Sequence, residues 1–483
     1  MSSVIREKNK LSKLTLTPLK ELGQWSGGGT PSKAKAEYWA SGTIPWVSPK
    51  DMKVAHISDS EDHITEDAVA GSAAKLIPAG SVLIVTRSGI LSHSLPVAVS
   101  TVPVTVNQDL KALTPKNGVL PEYVAWALRG FARDILNACT KQGTTVSSID
   151  TTALHRFEIP IAPLDQQKSI VAEIEKQFSR LDEAVANLKR VKANLKRYKA
   201  AVLKAAVEGR LVETEAELAR REGRSYETGA QLLQRILETR RSQWKGKGKY
   251  KEPAAPDTTD LPELPEGWVW SFVSGLGDVV GGLTKNPKRS KLTTKLPYLR
   301  VANVYANELR LDEIEEIGVD DSELEKLLVL KGDLLIVEGN GSPDQIGRLA
   351  IWDGSIAPCV HQNHLIKVRL AVDCLPDWVV GWLMSIGGRA YIREIASSTS
   401  GLYTLSVGKV GGLPVPLPPV NEQRRIVKEV ERCLSIIREA EAQIEANLKR
   451  AERLRQSILS RAFCGGLTES TAVPVRQQQR VSV

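Results

Sequence analysis

Two stretches of the chain carry an apolar residue at every seventh position, the pattern of a long helix that packs against a partner helix. The first, residues 164–211, has no glycine or proline between Leu164 and Glu208; the second is residues 420–467. The helix-pairing positions are Ile174, Leu181, Leu188 and Leu195, then Val430, Ile437, Ile444 and Ile458, with Ala451 as a weak point. At ~1.5 Å per residue each helix would be about 65–70 Å long, and it can bury such a stripe only against a partner. We therefore predict an antiparallel pair.

The predicted helix ends occur at matching places in the two stretches. A proline precedes each helix, a side chain suited to an N-cap follows the proline, and a glycine suited to a C-cap follows the last turn. These residues are Pro163, Asp165 and Gly209 in the first stretch, and Pro419, Asn421 and Gly465 in the second. The two sets are related by one offset of 256 residues.

The segments before the helices repeat as well, in the same order. GTIPWVSPKDM corresponds to KLPYLRVANV, IPAGSVLIVTRSG to VLKGDLLIVEGNG, PEYVAWAL to PDWVVGWL, and QGTTVSSI to SGLYTLSV, at offsets from 252 to 258 residues. The β-branched runs between glycines predict strands, and residues 122–137 and 377–396 predict helices. We conclude that the chain is a duplicated module, each copy a small globular domain followed by a long helix.

The fold class expected from this pattern is α+β. Two globular domains of mixed α/β structure are separated by two long antiparallel helices in a coiled coil, with an internal pseudo-two-fold repeat. Between the copies, two short charged helices are predicted before a Lys/Gly stretch and a Pro/Asp stretch, which is linker composition. The predicted boundaries are a first domain at 1–163, a helix at 164–211, a linker at 212–265, a second domain at 266–419, a helix at 420–467 and a tail at 468–483.

Composition narrows the class of protein only moderately. The 483 residues are 42% apolar and carry a formal charge of +9, which is ordinary for a globular chain and compatible with a polyanionic partner. The five cysteines form no CxxC pair, the N-terminus lacks the apolar core of a signal peptide, and no apolar run is long enough for a membrane span. We therefore expect a cytoplasmic protein with free thiols.

Motifs for self-sufficient catalysis are missing from the sequence. There is no GxxxxGK[ST] phosphate loop and no GxGxxG at the start of a helix, and LPVPLPPV lacks the flanking residues of an amino-methyltransferase motif. HQNH, at His361 and His364, has the spacing of a metal pair, but its alignment with VNQDL favours a strand. We predict no catalytic residue, no metal site and no cofactor bound by this chain.

These blocks, taken in order, resemble the specificity subunit of a type I restriction–modification enzyme. The resemblance rests on GGGTPSK, GTIPWVSPKDM, GSVLIVTRSGIL, PLDQQKSIVAEIE, AAVEGRLVE, LPEGWVW, GDLLIVEGNGSPDQIGR and PPVNEQRRIV, and it covers nearly the whole chain. No single motif is diagnostic, but their order, found twice, is specific. The long linker at 212–265 is a departure from the shortest members and leaves the path of the chain there open.

The resemblance implies a non-catalytic, DNA-binding subunit of a phage-defence system. Each globular domain would be a target recognition domain that reads one half of an asymmetric, bipartite site in double-stranded DNA. The helices would set the spacer and dock two modification subunits, which are adenine methyltransferases, and restriction subunits would complete the complex. S-adenosylmethionine, ATP and Mg²⁺ would belong to those partners.

Polarity and loop position select the residues that would contact DNA. They are Lys33, Arg87, Lys141, Thr144, Thr145, Lys288, Arg289, Asn340, Gln345, Arg348 and Tyr403. Three other interpretations stay open at this point. The chain could be a coiled-coil adaptor that binds proteins and not DNA, an orphan or silent specificity subunit, or an enzyme with diverged motifs.

Overall fold

The computed structural model describes residues 14–141, 146–244, 248–253, 259–371, 375–399 and 401–463. The chain forms two compact units. The first unit combines residues 1–190 with residues 444–483, and the second comprises residues 191–443. Each unit therefore contains one globular part and one portion of each long helix. In the described parts of the chain, no helix is both long enough and apolar enough to cross a membrane.

The first unit is built on three antiparallel or mixed sheets. The five-stranded sheet has the order β2–β9–β6–β7–β4, the three-stranded sheet has the order β5–β3–β8, and β1 pairs with β10. The strands are β1 Thr15–Pro18, β2 Gly23–Gly27, β3 Ile44–Val47, β4 His56–Ile57, β5 Asp62–Ile64, β6 Val82–Val85, β7 Val97–Ser100, β8 Thr105–Val106, β9 Leu110–Pro115 and β10 Glu158–Ile161. The helices are Glu66–Ala70, Pro121–Gly130, Ala132–Cys139, Thr151–Arg156 and the first long helix, Leu164–Val207, with short 3-10 turns at Leu19–Glu21, Ala36–Tyr38 and Gly89–Ser92.

The core of the first unit lies between the five-stranded sheet and the helices. All four residues of β6 are buried, as expected for a β-branched central strand. Ile174 of the first long helix enters the same core, and so do Leu459 and Phe463 at the end of the second long helix. The first unit thus needs residues from both ends of the sequence.

The second unit repeats this plan and adds to it. Its sheets have the orders β12–β21–β17–β19, β16–β13–β20 and β11–β24, with two additions, the hairpin β14–β15 and the sheet β18–β23–β22. The strands are β11 Val269–Phe272, β12 Gly277–Gly281, β13 Lys295–Leu299, β14 Val304–Tyr305, β15 Glu308–Leu309, β16 Glu315–Gly318, β17 Leu334–Val337, β18 Gly339–Asn340, β19 Leu349–Ile351, β20 Val360–His361, β21 Leu365–Leu370, β22 Ser397–Thr399, β23 Leu402–Thr404 and β24 Pro414–Leu417. The helices are Glu215–Glu222, Gly229–Ser242, Val273–Leu276, Asp321–Leu327, Pro376–Leu383, Ile386–Ile395, Val407–Gly411 and the second long helix, Val420–Phe463, with 3-10 turns at Arg289–Lys291 and Val301–Asn303.

Matching strand orders confirm the predicted duplication but correct one part of its alignment. The Ile149 amide donates to the Thr86 carbonyl, and the Leu405 amide donates to the Glu338 carbonyl in the same way. Ile149 therefore corresponds to Leu405, at the offset of 256 that also relates the long helices. The sequence alignment of QGTTVSSI with SGLYTLSV, at an offset of 258, was wrong by two residues because these loops share too few apolar positions to fix the register.

The long helices begin at Leu164 and Val420, the predicted first residues, but the predicted N-caps are wrong. The Pro163 carbonyl accepts from the Gln167 amide at 2.9 Å, and the Pro419 carbonyl accepts from the Gln423 amide at 3.0 Å. Asp165 therefore lies in the first turn, where a carboxylate favours the helix dipole, and is not the N-cap. Asn421 is likewise inside its helix.

The first long helix ends as the glycine predicted. Gly209 has φ +66°, its amide donates to the Ala206 carbonyl, and the Arg210 amide donates to the Ala205 carbonyl at 2.8 Å. This is the bond pattern of a Schellman C-cap. Gly465 lies outside the described residues.

Burial along the heptad stripe is strong at some positions and partial at others. Ile174, Ile437 and Ile444 are buried, and so is Ala451, the expected weak point. Half-buried positions are Leu181, Leu188, Leu195, Val430 and Ile458. In the first unit the Arg455 guanidinium lies 5.1 Å from the Phe178 ring centre and forms an ion pair with Asp182.

The second unit shows the same sense of packing. Ala206, near the end of the first long helix, shares a core with Ile426, near the start of the second. Early residues of one helix therefore accompany late residues of the other in both units, and the two helices run antiparallel.

Residues 212–265 are more than a connector. The helices Glu215–Glu222 and Gly229–Ser242 both begin with a capping box, made by Thr214 and Thr228, and the second helix places Leu232 and Ile236 in the core of the second unit. Glu215, 1% exposed, forms ion pairs with Arg224 and Arg425. Burial acts to raise the pKa of Glu215, but the hydrogen bonds from Arg425 and Arg224 prevail and lower it.

Candidate nucleic-acid interface

In the first unit, a polar site forms where three loops meet at the end of β6. The glycine-rich loop packs on the loop after β8 so closely that a Cβ on Gly28 would lie 1.9 Å from the Asn107 carbonyl oxygen. The Gly29 amide donates to the Val106 carbonyl, and the side chains of Thr30 and Gln108 are hydrogen-bonded. The glycines of GGGTPSK therefore serve this close approach of two backbones.

Arg87 projects from this site on a supported base. Its Nε lies 2.9 Å from Asp109 Oδ1, and its side chain is 60% exposed. Asn107 holds Asp109 from the other side, because Asn107 Nδ2 donates to Asp109 Oδ2 at 3.2 Å and Asn107 Oδ1 accepts from the Asp109 amide at 3.0 Å. Sequence reasoning selected Arg87 but missed its two supports, which follow β8 directly and lie about twenty residues away.

The other residues predicted in the first unit are less constrained. Lys33 is exposed in the turn after the glycines. Lys141 is exposed, and its amide donates to the Ser148 carbonyl at 2.8 Å beside the strand bridge between Arg87 and Ser148. Thr144 and Thr145 lie outside the described residues.

The second unit forms an equivalent site with different side chains. A Cβ on Gly282 would lie 2.3 Å from the carbonyl oxygens of His361 and Gln362, which repeats the close approach at Gly28. The Glu338 amide donates to the His364 carbonyl at 2.9 Å, and the His364 Nδ1 lies 2.8 Å from Glu338 Oε2. HQNH therefore takes the place of VNQD in the fold.

His361 lies in β20, as the alignment predicted. It is fully buried, its Nδ1 donates to the Leu365 carbonyl at 2.9 Å, and burial, reinforced by the charge of Lys367, lowers its pKa to about 4. No cluster of histidine, cysteine or acidic residues within the described ranges could hold a metal ion.

Asn340 and Tyr403 are brought together as register partners in β18 and β23. Asn340 Oδ1 accepts from the Ser342 amide at 2.9 Å, Tyr403 is half-buried, and Gln345 is exposed in the following turn. This small sheet belongs to the second unit and places the two predicted residues side by side.

Two predicted arginines in the second unit are already engaged by other residues. Arg289 makes a bidentate contact with Glu323 at 2.9 and 3.0 Å, which raises the arginine pKa. The Arg348 Nη2 donates to the Val301 carbonyl at 3.0 Å, and its guanidinium lies 4.6 Å from the centre of the Tyr305 ring. Lys288, next to Arg289, is exposed.

One buried glutamine in each unit joins the globular part to its long helix. Gln167 is fully buried, donates to the carbonyls of Gly118 and Ala162, and accepts from the Leu120 amide at 2.8 Å. Gln423 accepts from the Leu375 amide at 3.2 Å and donates to the Pro418 carbonyl at 2.9 Å. A glutamine that recurs at the repeat offset, beside a predicted helix start, was the available signal.

Residues 13–197, which include the Arg87 site, match the family described as type I restriction modification DNA specificity domain. This match covers the globular part of the first unit and most of the first long helix, and the second unit repeats the three-sheet plan of that globular part. Two relatives and one solved structure define the likeness.

The chain is 47% identical over 167 residues to the EcoR124I/EcoR124II specificity subunit of Escherichia coli, which is 35% of this chain and 41% of that subunit. It is 28% identical over 331 residues to the EcoKI specificity subunit of Escherichia coli strain K12, which is 68% of this chain and 61% of that subunit. The chain thus spans less than two thirds of the length of either relative. The HsdS subunit of Thermoanaerobacter tengcongensis has the same fold, with a TM-score of 0.58 and 16% identity over 94% of this chain and 98% of that one.

Proposed function

We propose that this chain gives a type I restriction–modification complex its DNA sequence specificity. Each globular domain reads one half of an asymmetric bipartite site, and the long helices set the spacer between the halves. The observation that carries the proposal is a duplicated fold whose first copy matches a DNA specificity domain. The three-sheet plan of the first unit recurs in the second, while the exposed side chains at the equivalent loop sites differ. One chain thereby presents two different readers.

The long helices also offer a surface for partner subunits. Apolar side chains that are 43–53% exposed lie on both helices, namely Val191, Tyr198, Ile436 and Leu454. We propose that two modification subunits dock on the helices and that restriction subunits join the complex. Adenine methylation with S-adenosylmethionine, and any ATP- and Mg²⁺-dependent step, then belong to those subunits, while this chain supplies recognition and is not itself catalytic.

The decisive experiment is single-molecule methylation sequencing of DNA from cells that express this chain with its cognate modification subunit. We expect a bipartite motif with one modified adenine on each strand. Exchange of the first globular domain for that of a relative with another specificity should change one half of the motif and leave the other half intact. That result also assigns each half to its domain.

A stable complex that produces no new motif would contradict the proposal. DNA binding by the purified complex across a salt series then separates the alternatives, because a DNA reader loses affinity steeply as salt rises. A protein-binding adaptor shows no such affinity, whereas a silent specificity subunit does. For docking, Tyr198→Glu should prevent co-purification with the modification subunit, and the exposed substitution Lys116→Glu in the first unit serves as its control.

A further inference from the structure

We infer that Arg87 reads a guanine in the first half-site and that Asp109 and Asn107 position it for this contact. The inference rests on the proposed function and adds to it a specific residue and a specific base. It is carried by the way in which the arginine is held, since exposed arginines are common and most have no such role.

The base of the Arg87 side chain forms an ion pair with a largely buried acid, while its end is free of described partners. The Arg87 and Thr86 amides both donate to the Asp109 carbonyl, at 3.1 and 2.7 Å. Nε lies beside Asp109 Oδ1, and Asp109 is only 20% exposed and is itself held by Asn107. Within the described ranges, no residue accepts a hydrogen bond from Nη1 or Nη2. These two nitrogens form the paired donors that match O6 and N7 of guanine in the major groove.

The second copy supports this interpretation because it also pairs a basic with an acidic side chain at this place, but with different residues. Glu338 corresponds to Thr86, and His364 corresponds to Asp109, since β17 and β21 pair as β6 and β9 do. His364 is 55% exposed, and its Nδ1 is held by Glu338, which is 30% exposed. In both copies an exposed basic side chain is thus supported by a more buried acid at the same corner of the fold.

The exchange also gives the two half-sites different requirements. His364 directs Nδ1 to Glu338, which leaves only Nε2 to approach a base, and Asn363 Nδ2 is 3.4 Å from that atom. A single ring nitrogen cannot form the bidentate contact available to Arg87. The two loop arginines predicted in the second unit do not replace it, because Arg289 is engaged by Glu323 and Arg348 by Val301 and Tyr305.

The test compares the methylated motif of the wild-type complex with those of Arg87→Gln, Arg87→Lys and Asp109→Asn complexes. We expect the wild-type motif to contain a guanine in the half read by the first domain. Preference for that guanine over other bases should fall about 5- to 150-fold in Arg87→Gln, and less in Asp109→Asn, which keeps the arginine and weakens its support. The other half of the motif should not change. Arg133→Gln, which removes an exposed arginine from the helix Ala132–Cys139, should keep the wild-type motif.

A second measurement guards against variants that fail to assemble. The wild-type complex is titrated with duplexes in which 7-deazaguanine, which lacks the N7 acceptor, replaces that guanine. A loss of affinity that is absent in Arg87→Gln supports the assignment. Affinity unchanged by 7-deazaguanine, a first half-site without guanine, or Arg87 variants that keep the full wild-type preference would each overturn it. These outcomes leave the proposed function standing if the motif is bipartite, whereas a wild-type complex that yields no motif refutes the function itself.

Discussion

The two units solve one packing problem with different residues. In the first, the Tyr123 hydroxyl donates to the Pro160 carbonyl at 2.9 Å, and in the second the Trp378 indole donates to the Pro416 carbonyl at 2.8 Å. Each of these aromatic residues lies in the first turns of the helix that opens with Pro121 or Pro376 and binds the strand that leads into the long helix. Both units keep this hydrogen bond, although tyrosine donates it in the first unit and tryptophan in the second.

The units differ more in what surrounds this shared frame. Four further tryptophans are buried in the second unit, namely Trp268, Trp270, Trp352 and Trp382, and two linker helices pack against it, whereas Trp46 is the buried tryptophan of the first unit within the described ranges. The comparison teaches that sheets and helix junctions carry the repeat, while loops, linker and core composition diverge. The predictions below test this division, beginning with the largest expected effect.

Ile174→Ala should destabilise the first unit most. Ile174 is fully buried in that core, and truncation of such a side chain costs about 2–5 kcal/mol. Its counterpart in the repeat, Val430, is half-buried, so Val430→Ala should cost the second unit less. Hydrogen exchange on the full chain in a urea series reports the two units separately. Val191→Ala, 47% exposed on the same helix, should shift neither unit by more than about 0.5 kcal/mol.

Acid should destabilise the second unit through His361. Burial lowers the pKa of His361 to about 4, while an unfolded histidine has a pKa near 6.5, so the unfolded chain binds a proton between these values that the folded chain does not. The free energy of unfolding should therefore fall as pH drops from about 6.5 towards 4, by up to about 1.4 kcal/mol per pH unit.

The matched variant for this pH effect is His361→Val, because Val106 occupies the equivalent place in the first unit. Urea midpoints followed by tryptophan fluorescence, measured from pH 4.5 to 7.5, should show a weaker pH dependence in the variant. Parallel curves for the two proteins would show that His361 is not the source.

Gln167→Leu should cost about 1–3 kcal/mol, because it leaves the Leu120 amide and two carbonyls without their buried partner. Gln423→Leu breaks two bonds of the same kind and should cost the second unit somewhat less. Gln166→Leu makes the same chemical change at an exposed neighbour and should leave the midpoint in place. Equal midpoints for Gln166→Leu and Gln167→Leu would show that the hydrogen bonds of Gln167 do not stabilise the first unit.

The smallest effect is expected at Lys288, where Lys288→Ala removes one exposed cation without disturbing a described contact of its side chain. If Lys288 contacts a phosphate, the slope of log affinity against log salt should fall in magnitude by about 0.9. Arg289→Ala breaks the bidentate contact with Glu323 and should lower stability while leaving that slope unchanged. A smaller slope in Arg289→Ala, with the wild-type slope in Lys288→Ala, would assign the phosphate contact to Arg289.

Periodicity predicted the long helices well because apolar residues recur every seven positions over more than forty residues. It also predicted the duplication, because the two stretches are related by a single offset of 256 residues. The N-caps were misplaced by two residues, since Asp165 and Asn421 are good N-caps by type but lie two positions after Pro163 and Pro419, whose carbonyls accept the first helical bonds. The shortest strands, such as β18 and β23, were not predicted because two or three residues carry no period.

The candidate site was harder to predict than the fold. Arg87 and Arg289 look alike in sequence, since both are basic residues in polar loops. Glu323, which lies 34 residues along the chain, binds both terminal nitrogens of Arg289. Asp109, which lies in a different loop from Arg87, contacts only its Nε. Whether a carboxylate engages two nitrogens of an arginine or only its Nε depends on which segments the sheets bring together, and residue type alone does not determine it.

The core of the first unit also dictates when it can form during synthesis. The Phe463 ring packs 5.2 Å from Tyr123 and 6.2 Å from Phe131, measured between ring centres, and Leu459 lies in the same cluster. A ribosome that has made the whole first domain has not yet made these residues. The first unit therefore lacks part of its apolar core until translation has passed Phe463, although its sheets were synthesised first.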